Sequence, residues 1–202
     1  YTIIGPNVTI GDNCQIGSHT VIEGRTSVGA NTKISSFAAI GGVPQHSGYI
    51  GEDTSLEIGE NNVIREYCTI NRGTVEGGSL TSIGDNNFLM AYVHIAHDCH
   101  VGSNTIFANA ASLAGHVHVG DYAVMGGFSL VHQFCRVGAH CITGIGVVCL
   151  LDVPPYMIVA GNKAVTHGIN VKGMRRRDFT EEDILVLKRA YKTFYRSGFS
   201  MK

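Results

Sequence analysis

The sequence predicts a mainly β fold, a parallel β-helix followed by a C-terminal α-helical segment, and three observations carry that expectation. An aliphatic residue returns at every sixth position, glycine often follows it directly, and apolar spacing of the helical kind begins only after Thr180. From Ile4 the series runs through Ile10, Ile16, Ile22, Val28 and Ile34 to Ile40. It resumes at Ile58, Ile64 and Ile70, and again from Ile83 through Leu89, Ile95, Val101, Phe107, Leu113, Val119, Met125, Val131 and Val137 to Thr143. A period of six is too short for a helix–loop unit and does not match the period of a helix. It suits a short strand plus a tight corner, and three such units close a triangular coil of about eighteen residues. Coils then stack at the ~4.8 Å strand spacing. The periodic aliphatic fills the interior, and glycine relieves the corner backbone.

The same register accounts for the cysteines. Cys14, Cys68, Cys99, Cys135 and Cys141 each lie four places after a periodic aliphatic, at a second inward position that Ala111, Val117, Ala123 and Ser129 occupy elsewhere. Cys149 falls on the continued aliphatic position. Cys99 and Cys135 are two coils apart, roughly 9–10 Å by the strand spacing, too far to bridge. All six are expected to be buried free thiols, compatible with a reducing, cytoplasmic setting. No CxxC pair suggests a metal.

The β-helix is expected over residues 1–156, with loops at 41–57 and 73–82 where the repeat breaks. The first loop is rich in turn residues, and the second shifts the register. Loops on a rigid scaffold are places where binding function tends to sit. Pro154 and Pro155 cannot join a ladder and are expected to cap the column. Residues 157–202 form an extension with a helix at about 180–197. Thr180 is its candidate N-cap, with Asp183 three places on. Ile184, Leu187, Tyr191, Phe194 and Tyr195 form its apolar face, Lys188 and Arg189 lie toward its edge or solvent side, and Gly198 could end it.

Composition excludes several classes. A net charge of −1 and 15% charged residues give no electrostatic footprint for nucleic acid or an anionic membrane. No stretch approaches the ~20 apolar residues of a membrane span, so stable insertion is not expected. The first residues already read as folded repeat, without a signal-peptide pattern. The chain does not begin with Met and is expected to be trimmed.

Histidines gather in the later repeats: His94, His97, His100, His116, His118, His132 and His140. None falls on an inward position, so all are expected to face outward or to sit at corners. Residues eighteen apart stack, which places Gly115 over His97 and Gln133 over Gly115. A histidine base, a glycine N–H and an amide side chain make a surface suited to acyl transfer, which needs a proton acceptor and a donor for the developing oxyanion. Asp98 could orient His97 only at a corner, because strand neighbours point to opposite faces. So one-sided a surface holds substrate poorly, and a second subunit could complete it.

The motifs HIAHDC (94–99), LAGHV (113–117), VHQF (131–134), DVPPY (152–156) and GMRRRDF (173–179), with IREYCTINRGT (64–74) and GGVPQHSGYIGE (41–52), resemble the UDP-N-acetylglucosamine acyltransferase family that starts lipid A synthesis. The resemblance runs essentially end to end, with the family's first coil and last helices missing. It implies a left-handed winding, a homotrimer, and transfer of a 3-hydroxyacyl chain from acyl carrier protein to the 3-position of UDP-N-acetylglucosamine. No cofactor or metal is implied, since the donor rides on the carrier's phosphopantetheine. His97 would be the base, Asp98 its partner and the Gly115 N–H the oxyanion donor. His94 and His116 would line the cleft, together with His132, and Asn109 and Gly127 would lie on the pantetheine side. Gln133, Asn170, Arg176 and Arg177 would hold the sugar nucleotide. Arg175–Arg177, with Lys172, could instead dock the acidic carrier.

The sequence departs from the family at His46, Gly48, Asn71 and Lys163, positions that approach the sugar. That leaves the acceptor group, hydroxyl or amine, open. Ile145 stands where a residue caps the acyl pocket, and its bulk would shorten the accepted chain. Three other readings compete: a zinc enzyme of the γ-carbonic-anhydrase type with histidines from two subunits, a coenzyme A-dependent transferase, and a non-catalytic scaffold.

Overall fold

The computed structural model describes residues 1–197. Its strands are mostly two residues long and fall into three sheets of eight, seven and nine strands, parallel except for one edge strand of the third. Successive strands visit the first, second and third sheet in turn, so each coil contributes one strand to every face of a three-sided column. The ladder advances by one coil at each pairing: His94 pairs with Ser112, His100 with His118, and Phe88 with Ile106.

Strands this short persist because the interior is continuous. Ile22, Ile40, Ile70, Ile95, Leu113 and Val131 form one buried stack along the first sheet. Polar residues also enter the interior where they satisfy the backbone. Asn62 is fully buried; its amide donates to the Gly59 and Gly84 carbonyls and its carbonyl accepts from the Asn87 N–H. Asn87 in turn accepts from the N–H and hydroxyl of Thr105. All six cysteines are free, and five are buried; Cys14, near the open first coil, is only half-buried. Burial pushes Cys99 up to about 12 and Cys68 up to about 11.

Corners bend through left-handed backbone. Asn13, Asn31, Asn61, Asn86 and Asn104 share this conformation at one edge, and Asp98 and His116 adopt it at another, with φ of 58° and 63°. Asn and Asp tolerate it better than most residues.

Both interruptions lie where the first sheet passes to the second. The ladder takes in more of each than expected: strand Ala39–Gly42 and strand Ser55–Ile58 flank the first loop, while Thr69–Asn71 and Leu80–Ile83 flank the second. The loops proper are therefore 43–54 and 72–79, narrower at most ends than 41–57 and 73–82. Flanking residues extend each strand because the neighbouring coils offer them ladder partners.

The prolines do not end the column. Strand Met157–Ala160 continues the third sheet beside Ile142–Thr143, and Val165–Ile169 adds an antiparallel edge. The boundary expected at 156 thus falls inside continued sheet. Pro154 and Pro155 sit at a corner, where no ladder N–H is required, and the flanking Val153 accepts from the Gly138 N–H.

Two helices follow. The first, α1, Val171–Arg175, was not expected; it is capped by Asn170. The second, α2, Glu181–Arg196, has the expected Thr180–Asp183 capping box. Ile184 is buried, and Leu187 and Tyr191 pack against the core. Phe194 and Tyr195 of the expected apolar face are largely exposed. Gly198, the expected helix end, lies outside the described residues.

Leu113→Ala deletes three heavy side-chain atoms at a fully buried position whose stacked neighbours cannot close in. It is expected to cost about 2–5 kcal/mol, and denaturant unfolding measures it; a loss below about 1 kcal/mol would mean that the coils relax independently.

Candidate active site

Asp98 is the most constrained polar group of the site. It is 2% exposed and its carboxylate accepts three hydrogen bonds: the Thr74 N–H at 2.7 Å, the Thr74 hydroxyl at 2.7 Å, and His97 Nδ1 at 2.7 Å. Its own N–H donates to the Thr81 hydroxyl. Positive φ at Asp98 turns its side chain to the same side as that of His97, which neighbours in a regular strand could not achieve. The corner condition set by the sequence is therefore met.

This arrangement assigns the tautomer of His97. A buried ionised carboxylate only accepts, so Nδ1 carries the proton and Nε2 is left with its lone pair. The ring lies against Gly115: a Cβ built there would come within 2.6 Å of Cε1 and 2.8 Å of Nε2. Only glycine admits the imidazole at this distance. The Gly115 N–H has no acceptor among the described residues, while its carbonyl receives the Phe134 N–H from the next coil, the corner that carries Gln133. Base, amide and glutamine thus stand in vertical order, with Gln133 exposed.

Further imidazoles surround His97. His116 lies edge-on to His97, with ring centroids 5.2 Å apart, and stacks on Phe134. His94 is half-buried on the first sheet, its Nδ1 2.7 Å from the Thr69 hydroxyl. His132 is exposed beside Gln133. Of the histidines expected to face outward, His97 is the exception in being nearly buried, at 9%, with His46 of the first loop, His116 and Gly115 against its ring. Burial holds His94 below the ordinary imidazole range, and the nearby His97 adds to this; burial likewise lowers His116, although Asp98 opposes it.

Sequence reasoning missed the contributions of the loops. His46 approaches His97 edge-on at 5.4 Å between ring centroids. Arg72 holds the first loop through the Gly41 carbonyl and the Tyr49 hydroxyl. Thr74 and Arg72 both lie in the stretch 64–74 already singled out, but nothing in its spacing shows that they bind Asp98 and Tyr49.

The other expected site residues lie on other edges. Asn109, Gly127 and Ile145 stack at the corner from the third sheet to the first: the Asn109 carbonyl receives the Phe128 N–H, and the Gly127 carbonyl receives the Gly146 N–H. Ile145 is 85% exposed. Asn170 and α1 pack at the remaining edge. Asn170 is 1% exposed; its carbonyl accepts from the Gly173 N–H, and its amide donates to the His140 carbonyl. In the single chain this makes Asn170 a buried cap that seats α1. Arg177 lies 4.7 Å over the Tyr122 ring and bonds the Gly173 carbonyl, Arg176 is exposed, and Arg175 pairs with Glu181. One chain therefore gathers His97, Asp98, Gly115, His116 and Gln133, while Asn109, Gly127, Ile145, Arg176 and Arg177 lie at the other two edges.

His97, Asp98 and His116 also offer ligand atoms within 4.8 Å of one another. An ion bound through Asp98 would compete with the three donors that its carboxylate already holds. A carboxylate already holding three donors suits orientation of an imidazole better than metal ligation.

A β-helix of hexapeptide coils carrying a carboxylate-oriented histidine at a corner defines a hexapeptide transferase, and residues 7–42 and 80–115 match the family described as bacterial transferase hexapeptide. Residues 152–202 match domain 2 of the UDP-N-acetylglucosamine O-acyltransferases. The acyl-[acyl-carrier-protein]–UDP-N-acetylglucosamine O-acyltransferase of Thiobacillus denitrificans is 54% identical over 97% of this chain and 83% of its own. That of Herminiimonas arsenicoxydans is 50% identical over 100% and 77%. Among solved structures, LpxA from Acinetobacter baumannii superposes with a TM-score of 0.89 at 45% identity, covering 98% of this chain and 82% of that one. The UDP-N-acetylglucosamine acyltransferase from Campylobacter jejuni superposes at 0.93 with 41% identity, covering 98% and 77%. The chain belongs to the acyl-[acyl-carrier-protein]–UDP-N-acetylglucosamine O-acyltransferase family, and its column is a left-handed parallel β-helix.

Histidines whose folded pKa is depressed contribute stability that is complete above the unfolded value of about 6.5 and is lost as pH falls below it. His94, His116, His118 and His140 are all lowered by burial. The Tm should therefore fall between pH 7.5 and 5.5, as read by scanning calorimetry. A flat or rising Tm over that window would contradict the burial assigned to these rings.

Proposed function

We propose that this chain transfers a 3-hydroxyacyl group from acyl carrier protein to the 3-hydroxyl of UDP-N-acetylglucosamine, the first step of lipid A biosynthesis. The observation that carries the chemistry is the buried His97–Asp98 pair, its Nε2 free and set against Gly115. The family relationship supports the substrates, since the relatives are named for that donor and that acceptor.

In this reading His97 Nε2 removes the proton of the acceptor hydroxyl as its oxygen attacks the thioester carbonyl. Asp98 stabilises the resulting imidazolium. The Gly115 N–H faces the oxyanion, where a donor fixed in advance needs no reorganisation. Collapse expels the pantetheine thiolate, which takes the proton from His97. The enzyme returns to its starting state, and no cofactor is consumed. His94, His116 and His132 line the approach, and Gln133 reaches the acceptor.

Single-chain geometry supports a homotrimer. The cleft among the two loops beside the catalytic corner measures only about 160 Å³, small for a sugar nucleotide. Asn109, Gly127 and Ile145 lie at a second edge, and Arg176 and Arg177 at a third. A neighbouring copy that sets one of its edges against the His97 edge of this one brings such groups within reach of one substrate. Asn170 then acts by seating α1, which displays Arg176 for the diphosphate; arginine suits that role because its charge is permanent and its fork bidentate. Free buried thiols are in keeping with a cytoplasmic setting, and no helix among the described residues is long and apolar enough to cross a membrane.

Two experiments test this reading. His97→Ala should fold and lose at least about a hundredfold in kcat, with product from hydroxyacyl carrier protein and UDP-N-acetylglucosamine read by mass spectrometry; retained turnover would overturn the assignment. Ile145→Gly should shift the preference toward longer acyl chains in competition among carrier thioesters, and an unchanged preference would remove Ile145 from the acyl pocket.

A further inference from the structure

We infer that Thr74, in the second loop, is a positioning residue of the reaction: it clamps the Asp98 carboxylate so that His97 presents Nε2 to the acceptor. The inference rests on the reading of His97 as base.

Two independent observations carry it. The first is the hydrogen-bond set. Thr74 is 4% exposed and supplies two of the three donors to Asp98, the N–H to Oδ1 and the hydroxyl to Oδ2. Oδ2 is also the atom that accepts from His97 Nδ1. The Thr74 hydroxyl and the His97 ring therefore compete for one oxygen, and the position of that oxygen sets the tilt of the ring. The Thr74 hydroxyl in turn accepts from the Gly77 N–H at 3.2 Å, and the Thr74 carbonyl accepts from the Ser79 N–H at 2.7 Å. The clamp is thus closed within its own loop.

The second observation is the close packing of that loop on the carboxylate. A Cβ at Gly77 would come within 2.1 Å of Asp98 Cγ and 2.3 Å of Oδ1. Its φ is not positive, so the conformation there does not itself demand glycine; what a side chain would meet is the carboxylate. A Cβ at Gly73 would also meet the carboxylate, at 2.9 Å from Oδ1, beyond closer contacts with the backbone of Leu80 and Ser79. A loop that were only a tolerated insertion would have no reason to bury a threonine hydroxyl and a glycine against the partner of the base.

Charge argues the same way. A carboxylate this deeply buried is costly unless its lone pairs are filled, and His97 alone fills one. Without the Thr74 hydroxyl, Oδ2 draws the imidazolium more strongly and is free to rotate. Both effects act on the base and leave sugar-nucleotide binding alone.

Thr74→Val keeps the backbone donor and the shape but removes the hydroxyl. Its kcat is expected to fall about ten- to a hundredfold, as for the loss of a hydrogen bond to a charged group, with the KM for UDP-N-acetylglucosamine within about twofold. The acid limb of its kcat/KM profile should move to higher pH, and Thr74→Ser should restore both. In protein labelled with 15N-histidine, the low-field proton of His97 Nδ1 should shift in Thr74→Val and return in Thr74→Ser. Gly77→Ala, which displaces the carboxylate without touching a donor, should lower kcat in the same way and covers the case in which Thr74→Val does not fold. Unchanged kcat, pH profile and His97 proton signal would overturn the proposal. So would a loss that appears only in KM, or one that serine does not repair. His97→Ala run alongside separates the two claims: turnover surviving there removes the underlying reading, whereas a dead His97→Ala beside an unaltered Thr74→Val removes Thr74 alone.

Discussion

Vertical registration of backbone hydrogen bonds is the constraint on which this molecule depends. Each strand is too short to be stable alone, and it persists because the coils above and below hold the same three positions. Once Ile95 pairs with Leu113, every side chain of a coil is committed to an inward, outward or corner place. The interior stack, the asparagine corners and the order His97–Gly115–Gln133 are consequences of one ladder. Interruptions are tolerated only at corners, where residues leave the ladder anyway. That is why Ala39 pairs with Thr69, and Thr69 with His94, across loops that leave the column undisturbed.

The catalytic corner uses this tolerance. Regular strand geometry would send His97 and Asp98 to opposite faces, and left-handed backbone at Asp98 brings them together instead. Burial then works in two directions. It makes the carboxylate a strong acceptor, and it requires that the acceptor be filled, a need that the second loop meets from Thr74. The first loop is held to the second by Arg72 on Tyr49 and carries His46 to His97. The two insertions therefore form a bracket over one edge of an otherwise open column.

A three-sided column also separates functions. His97 and Gly115 occupy one edge, the exposed Ile145 a second, and the arginine-bearing α1 a third. Flat sheets lie between them, and no bending of so rigid a ladder brings the edges together. The residues of one edge can thus vary independently of those of another, because each edge is a separate stack of corner residues.

What the sequence by itself determined is everything that repeats. The six-residue period specifies the β-helix, the inward place of the cysteines, the corner place of His97 and the order of its stack, because in a solenoid each residue's surroundings follow from its place in the coil. The capping box of α2 was legible for a related reason, since its contacts are three residues apart. Only the tertiary structure decided the rest: the hold of Thr74 on Asp98, the approach of His46, the burial of Asn170 as a cap, and the continuation of sheet beyond Pro155. Inserted and terminal residues have no coil to place them. Their positions come from hydrogen bonds and packing between distant segments, which no spacing along the chain encodes.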